Sequence, residues 1–417
     1  MMNVCFRLAQ LCAVLGGACL IMQGFPVLGI CVALLACWYW LLDRMANRVV
    51  RGNAEPVSED TSSFHDGCFI ADLHADICLW RRDLMRKNRR GHVDLPRLQE
   101  GNVALQFVTV PTKLVISRRF PRVFFRDLFF WGAFMSLQHP ATWFSTSARV
   151  RLQLHRLESW IAQSGGAIRL VCSRSQLDEL EGCRERNEGV IGVMLGLEGA
   201  HVLRGGLDVP WLAGNGFRVV GITHFNDNQF GYSAHGLRRG GLTQAGRKLV
   251  QELDSHAITI DLAHASAELI DDVLEMHGQG EISRPLIVSH TGIRGVHDHR
   301  RNIADDHAVA IAGTGGLIGI SLFAPALPRA DLAALGESVS YTVKLLDDAG
   351  IEGARHVAIG SDFDGAVRTV VDASGWERIT GELMKPAYGL TPEQVEWIVG
   401  ANTRNFFADN LPDSENP

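Results

Sequence analysis

From residue 67 onward, short runs of apolar, largely β-branched residues alternate with stretches whose apolar positions recur every three or four residues. The first kind of run predicts buried strands and the second predicts amphipathic helices. The predicted strands are Cys68–His74, Val103–Val110, Val190–Leu197, Arg218–His224, Ile258–His264, Leu286–His290, Leu317–Phe323 and Val357–Asp362. Leu242–His256, Ser266–His277, Asp305–Ala312 and Glu337–Ala349 carry the helical period, and Thr391-Pro392 offers an N-cap with proline at the first helical position. Strands that are apolar throughout, rather than at alternate positions, belong to a parallel sheet covered on both faces. Eight of them predict a (β/α)8 TIM-type barrel, with a doubly wound open sheet as second choice.

Two segments fall outside this alternation. Residues 115–144, between the second and third strands, set Phe124, Phe125, Phe129, Phe130, Trp131 and Phe134 among Arg118, Arg119, Arg122 and Arg126. This insertion reads as helices packed on the barrel, as a basic aromatic element facing a membrane, or as a lid over the site. The other is the N-terminus. Residues 8–42 carry no charge and are interrupted only by Gln23-Gly24-Phe25-Pro26. A helical span needs roughly 20 apolar residues, so residues 1–50 predict a membrane anchor. It is either a hairpin of two short helices or one span, Phe25 to Leu42, after an interfacial helix. Trp38, Tyr39 and Trp40 suit an interfacial belt. A cleaved signal peptide fits worse, because Arg7 is the only early charge and no small-x-small site follows. Arg44, Arg48 and Arg51 come next and, by the charge bias of membrane topology, place the globular part in the cytoplasm. Residues 51–66 are polar and read as a linker, which leaves 67–417 as the globular domain.

Composition narrows the class. With 417 residues, 47% of them hydrophobic and 21% charged, the chain is globular. A net charge of -6 gives no footprint for nucleic acid. Of nine cysteines, Cys5, Cys12, Cys19, Cys31 and Cys37 lie in the apolar N-terminus. No CxxC occurs, so neither a zinc knuckle nor a disulfide framework is indicated, and one or two disulfides stay open.

The candidate chemistry lies at the strand ends. A barrel's active site forms at the C-terminal ends of its strands. There the chain places His74-Ala75-Asp76, Glu198 with His201, His224, Asp261 with His264, His290, and Asp362 with Asp364. His74 and Asp76 are two apart and share a face of a strand. Each group alone would be an ordinary hydrogen-bonding turn, but six of eight strands ending this way is not. Buried charges without partners are costly, and a metal centre holds several together. Histidines with carboxylates suit zinc or a similar divalent ion. Two ions bridged by Glu198 use the whole set: His74, Asp76 and Glu198 hold the first, and Glu198, His264 and His290 hold the second. Such a pair lies about 3.5–4 Å apart, shares a bridging hydroxide and polarises a carbonyl. Asp362 is left to take and return a proton. Asp94, Asp261 and Asp305 read as caps or strand-edge partners. His235, His297 and His299 read as loop residues that support the site. Gly205-Gly206 and Gly240-Gly241 read as turn glycines, not phosphate loops.

Together, "DLHAD" at 72–76, "GHVDLPRLQEGNVALQF" at 91–107, "GLEGAH" at 196–201, "ITHFNDN" at 222–228, "IDLAHAS" at 260–266, "IVSHTG" at 287–292, "HRRNIADD" at 299–306, "GGLIGISLF" at 315–323, "GSDFDG" at 360–365 and "GANTRNFF" at 400–407 resemble the membrane (renal-type) dipeptidase family of the amidohydrolase superfamily. The motifs keep the family's order and cover nearly all of residues 65–410. The resemblance implies a membrane-anchored binuclear zinc hydrolase of dipeptides, including those with a C-terminal D-residue, in which a metal-bridging hydroxide attacks the amide. His74, Asp76, Glu198, His264 and His290 match the ligand positions. His224 matches the histidine that contacts substrate and polarises the tetrahedral intermediate. Arg301 matches the arginine that pairs with the substrate carboxylate, with Arg300 as its rival, and Asp362 matches the proton-shuttling aspartate, with Asp364 as its rival. The resemblance also implies a homodimer. The hydrophobic N-terminus, the 115–144 insertion and the strand-four exit Phe225–Asn228 depart from the family pattern. They put the substrate in doubt, so a lipid-linked, N-acyl or secondary-metabolite amide is the alternative. Lipid contact is expected through residues 8–42, with 115–144 as a second contact. A non-catalytic membrane-bound partner protein is the reading of another class, and the intact ligand set argues against it.

Overall fold

The computed structural model describes residues 18–19, 21–50, 56–115, 127–203 and 207–414. Eight parallel strands form a nearly closed barrel: β1 (Ile70–Asp72), β2 (Val103–Pro111), β3 (Ile191–Glu198), β4 (Phe217–Gly221), β5 (Thr259–Asp261), β6 (Ile287–Thr291), β7 (Leu317–Ile320) and β8 (Val357–Ile359). Each pairs with the next in chain order, which rules out the doubly wound order. Between β8 and β1 the circle is completed by Leu73 N donating to Ile359 O (3.1 Å) and Asp76 N donating to Phe363 O (2.8 Å). A further short strand, Ile168–Leu170, pairs with β3 outside the ring. Every residue of β1 to β8 is buried, which is why the sequence shows continuous rather than alternating apolar runs.

Several strands end sooner than the apolar runs suggest, and for a common reason. At β1, Asp72 Oδ1 accepts from His74 N (3.2 Å); after β5, Asp261 Oδ1 accepts from Ala263 N (2.9 Å). Past β7, Ser321 Oγ accepts from Phe323 N, and past β8, Ser361 Oγ accepts from Phe363 N. A short polar side chain that bonds two residues onward replaces the sheet ladder with a turn. These turns lift His74, His264 and Asp362 off the strands and over the barrel mouth.

The helices follow the predicted periods. Thr243 caps Gln244–Ser255, Ser266 caps Ala267–Gly278, and Thr391 with Gln394 forms a capping box before Pro392–Glu396. Leu332–Asp348 starts earlier than expected because Asp331 caps it. Cys19, Cys68, Cys78, Cys172 and Cys183 form no disulfide with one another.

At the N-terminus the described residues show no span. No helix among the described residues is long and apolar enough to cross a membrane; residues 1–17 and 20 lie outside the described residues. Helix Pro26–Ala46 instead turns one face, Tyr39 and Asp43 with Asn47 just beyond its end, onto the barrel domain, where all three are buried. These positions are four apart and lie along one side of a helix. In the 115–144 insertion, Asp127 caps helix Leu128–Met135, and the Arg149 guanidinium binds Asp127 Oδ2 (2.5 Å), Thr112 O, Thr142 O and Trp143 O. Its described part is thus helical and packed on the barrel, while Leu137 and Phe144 stay exposed. Phe120, Phe124, Phe125 and the four arginines at 118, 119, 122 and 126 lie outside the described residues.

Candidate metal centre and active site

Register sets the floor of the site. Pro111, Glu198, Gly221 and Asp261 are successive Cα partners across β2 to β5, so Glu198 emerges at the rim of the barrel. Gly199 (φ 93°) turns the chain directly after it, and a Cβ there would meet the His201 ring at 2.9 Å. Around Glu198 Oε1 stand three imidazole nitrogens: His264 Nε2 at 3.0 Å, His290 Nε2 at 3.6 Å and His74 Nε2 at 3.7 Å. Asp76 Oδ1 lies 3.8 Å from His74 Nε2. All five predicted ligands are buried. His74, Asp76 and Glu198 bring one ligand atom each within 4.8 Å of one another, as do Glu198, His264 and His290.

Hydrogen bonds fix which nitrogen faces inward. Ser289 Oγ gives its one proton to Asp261 Oδ2 (2.6 Å), so it accepts from His290 Nδ1 (2.8 Å) and from His74 Nδ1 (3.2 Å). Both rings therefore carry their proton on Nδ1 and present a bare Nε2 to Glu198, the tautomer that a metal needs. Thr109 Oγ1 donates to Asp76 Oδ1 (2.6 Å), leaving the other oxygen uncommitted. Asp261 also clusters with His74 and His290, but its oxygens already accept from Ser289 and Ala263.

The remaining predicted residues converge on the same point. His224 Nε2 is 3.4 Å from Glu198 Oε2, while its Nδ1 donates to Lys113 O (3.3 Å). Arg301 is buried and donates to His290 O (2.7 Å), whereas Arg300 is exposed and reaches only Ala234 O. Asp362 is buried with φ 60°, and His264 has φ 63°. Left-handed backbone at non-glycine residues is strained and is tolerated where the surroundings enforce it. Asp362 N donates to His74 O (3.1 Å), and a Cβ on Gly365 would lie 2.1 Å from the Asp362 carboxylate. Asp364 points elsewhere, to Arg82 and to the amide of His92. A cavity of about 400 Å³ opens beside His264 and Arg301, lined also by Ser233, Ala234, Arg294 and Arg300.

Electrostatics state what the cluster lacks. Burial raises the Glu198 and Asp362 carboxyls well above their ordinary range, with Asp76 adding to both. Burial pushes Asp76 up to about 7. Burial, with Arg301 beside them, holds His74 and His264 far below the usual imidazole value; it does the same to His290, with His74 and Arg301 adding. Buried His74 Nε2, His264 Nδ1 and Glu198 Oε2 have no hydrogen-bond partner. Neutral imidazoles and crowded carboxylates with orphaned lone pairs are the donor set of a divalent cation, and they fit one.

A pH dependence follows for the metal-free chain. A carboxyl whose folded pKa is raised keeps a proton that the unfolded chain has lost, so stability falls as pH rises up to the folded value. The depressed histidines act the other way until the unfolded imidazoles have lost their protons, at about 7.5, one unit above their ordinary value. Above that point the raised carboxyls of Glu198 and Asp362 dominate. Chelated protein is therefore expected to unfold at lower temperature as pH rises from about 7.5 to 8.5, and divalent metal should flatten the slope. A chelated midpoint that holds level or rises over that interval would contradict this.

Some contributors were not foreseen. Asp72, inside the "DLHAD" stretch, accepts from Ser361 N and Oγ, Gln106 Nε2 and His74 N, and so ties β1 to the turn that carries Asp362. Its signal was an Asp on the same strand face as His74 and Asp76. Thr109 and Ser289 carry no such signal, because a hydroxyl in a strand is unremarkable.

A parallel barrel with histidines and carboxylates gathered at the C-terminal strand ends is the architecture of a metal-dependent hydrolase. Residues 59–409 match the membrane dipeptidases, peptidase family M19, and the chain belongs to that family. It is a peptide-bond hydrolase of the metallopeptidase kind. An uncharacterized dipeptidase of Schizosaccharomyces pombe is 25% identical over 75% of this chain and 70% of its own length. Dipeptidase aclJ of Aspergillus oryzae is 24% identical over 82% and 78%. Among solved structures, the fold is shared with the probable dipeptidase PvdM of Pseudomonas aeruginosa (TM-score 0.68, 17% identity, 84% of this chain and 97% of that one). It is shared too with a metallo peptidase of Rhodobacter sphaeroides liganded with a phosphinate mimic of L-Ala-D-Ala (TM-score 0.64, 20% identity, 82% and 99%).

Proposed function

We propose that the chain is a binuclear zinc dipeptidase that cleaves the amide bond of dipeptides, those with a C-terminal D-residue included, and works at a membrane surface. The observation that carries the metal centre is Glu198 Oε1, with three imidazole nitrogens 3.0–3.7 Å away and Asp76 beside them. His74, Asp76 and Glu198 would hold one ion; Glu198, His264 and His290 would hold the other. Bound there, such ions supply Lewis-acid polarisation of the scissile carbonyl and activation of water at neutral pH. The protein's own groups do the rest. Arg301, oriented by its bond to His290 O, takes the substrate carboxylate in two parallel hydrogen bonds. His224 contacts the carbonyl side; with Nδ1 committed to Lys113 O, its Nε2 becomes a donor only when the ring gains a second proton. Asp362 moves the proton to the departing amine. The D-residue rests on the ligand of the Rhodobacter protein.

Membrane contact rests on exposed Phe25, Val27, Leu28, Trp40, Leu41 and, on the insertion, Leu137 and Phe144. A second reading, an N-acyl or lipid-linked amide substrate, is favoured by an apolar cavity of about 180 Å³ between these two elements, lined by Tyr39, Leu42, Leu79, Trp80, Leu128 and Phe129. The test is turnover of L-Ala-L-Ala, L-Ala-D-Ala and an N-acyl amino acid by zinc-loaded protein, before and after chelation. Dipeptide turnover that vanishes with chelator and returns with zinc is expected. No dipeptide turnover by fully loaded protein would overturn the leading reading, and turnover of the N-acyl compound alone would establish the second.

A further inference from the structure

The segment that precedes the barrel reaches the turn that carries Asp362. Three non-glycine residues in that turn, Asp362, Asp364 and Ala366, have φ of 60°, 64° and 61°. L-residues avoid this conformation, so something must hold all three. Asp362 is held by His74 O, as described. The other two are held from outside the barrel sheet. Arg82 Nη2 pairs with Asp364 Oδ1 at 2.7 Å, and Arg82 Nε faces Asp43 Oδ2 at 3.4 Å. Asp43, fully buried at the end of helix Pro26–Ala46, also accepts from Arg90 Nε (2.6 Å) and from Asn47 Nδ2 (3.0 Å). Asn47 Oδ1 in turn accepts from Ala366 N (3.0 Å). Directly after Asn47, Arg48–Val49 runs parallel to Arg368–Thr369, and Val50 N donates to Thr369 O (2.8 Å). Space is reserved for this network: a Cβ on Gly91 would lie 1.6 Å from Arg82 Nη1.

We infer that Asp43 and Asn47 are positioning residues for the reaction: through Arg82 and Ala366 they hold the strained 362–366 turn that aims the Asp362 carboxylate. The inference rests on the proposed proton-shuttle role of Asp362. The segment before the barrel is then an active-site element in addition to any attachment role. Neither residue touches substrate; both act by limiting where Asp362 sits. A misplacement of about 1 Å at a reacting group can cost about a hundredfold in rate.

The test compares full-length, zinc-loaded wild type with Asp43→Ala, Asn47→Ala and Arg44→Ala, the last an exposed residue of the same helix that stacks on Trp40. Asp43→Ala and Asn47→Ala are expected to lower dipeptide kcat by about ten- to a hundredfold per metal-loaded chain with KM within about twofold, while Arg44→Ala keeps wild-type kcat. Amide hydrogen exchange over residues 360–369 should quicken in the first two variants only, a readout that does not depend on the substrate. Asn47→Ala removes no buried charge and stays informative if Asp43→Ala folds poorly. Wild-type kcat in Asn47→Ala, or unchanged exchange over 360–369, overturns the inference. Absence of dipeptide turnover by wild type counts against the proposed activity instead, and the exchange result then decides the positioning claim alone.

Discussion

Replacing Glu198 with alanine is expected to lower dipeptide kcat/KM by about a thousandfold or more while making the metal-free chain more stable. Both halves follow from one geometry. Glu198 is the only carboxylate that reaches His74, His264 and His290 together among the described residues, so without it the two ligand groups have no common member. Metal content should fall below that of wild type, and the ions that remain would lose their fixed spacing. In the metal-free state the same carboxylate is a burden: burial and the nearby Asp76 and Asp362 resist its ionisation. Its removal takes one buried acid out of a crowd that, without metal, only Arg301 offsets. The measurements are metal per chain, kcat/KM, and the unfolding midpoint of chelated wild type and variant at pH about 8. A chelated Glu198→Ala protein less stable than chelated wild type would show that Glu198 supports the fold rather than opposing it. Near wild-type turnover would remove it from the metal centre.

The opposition between site and stability also explains what was legible in the sequence. β1 to β8 announced themselves because a parallel barrel buries both faces of each strand, and long apolar runs survive even where Gly196 or Gly221 interrupts them. The ligands were legible because His74, Glu198, His264 and His290 break those runs at their ends, where solvation alone would not call for them. β1, β5, β7 and β8 are shorter than their apolar runs, since Asp72, Asp261, Ser321 and Ser361 end the ladder through side-chain bonds that hydropathy does not register. The network joining Asp43, Arg82, His92 and Asp364 spans more than 300 positions of chain and leaves no local pattern. At the N-terminus, hydropathy reads the apolar run but not the face that helix Pro26–Ala46 turns onto the barrel domain, which only the buried Tyr39 and Asp43 mark.

Asp362→Asn is expected to lower kcat by about 10²- to 10⁴-fold with metal content and KM little changed. The carboxylate belongs to neither ligand group, so the ions should bind as before. Asparagine keeps the size and the planar head, and it tolerates the left-handed backbone that position 362 requires. What it loses is the exchangeable proton. In the metal-free chain, burial and the neighbouring Asp76 raise the Asp362 carboxyl far above its usual range, while Arg301 pulls it down. Divalent cations beside it would add strongly to that downward pull and bring its pKa toward the working pH, where a group can both accept and return a proton. The acid limb of the wild-type pH–kcat profile should accordingly report Asp362 and be absent from the residual activity of the variant. Replacement at Asp364 makes the informative contrast. That carboxylate pairs with Arg82 and the His92 amide rather than facing the centre, so Asp364→Asn should weaken kcat through misplacement of Asp362 and leave the acid limb in place. If Asp362→Asn instead kept wild-type kcat, or kept the acid limb at reduced rate, proton transfer would have to be assigned to another group near Glu198, of which His224, 3.4 Å away, is the first to examine.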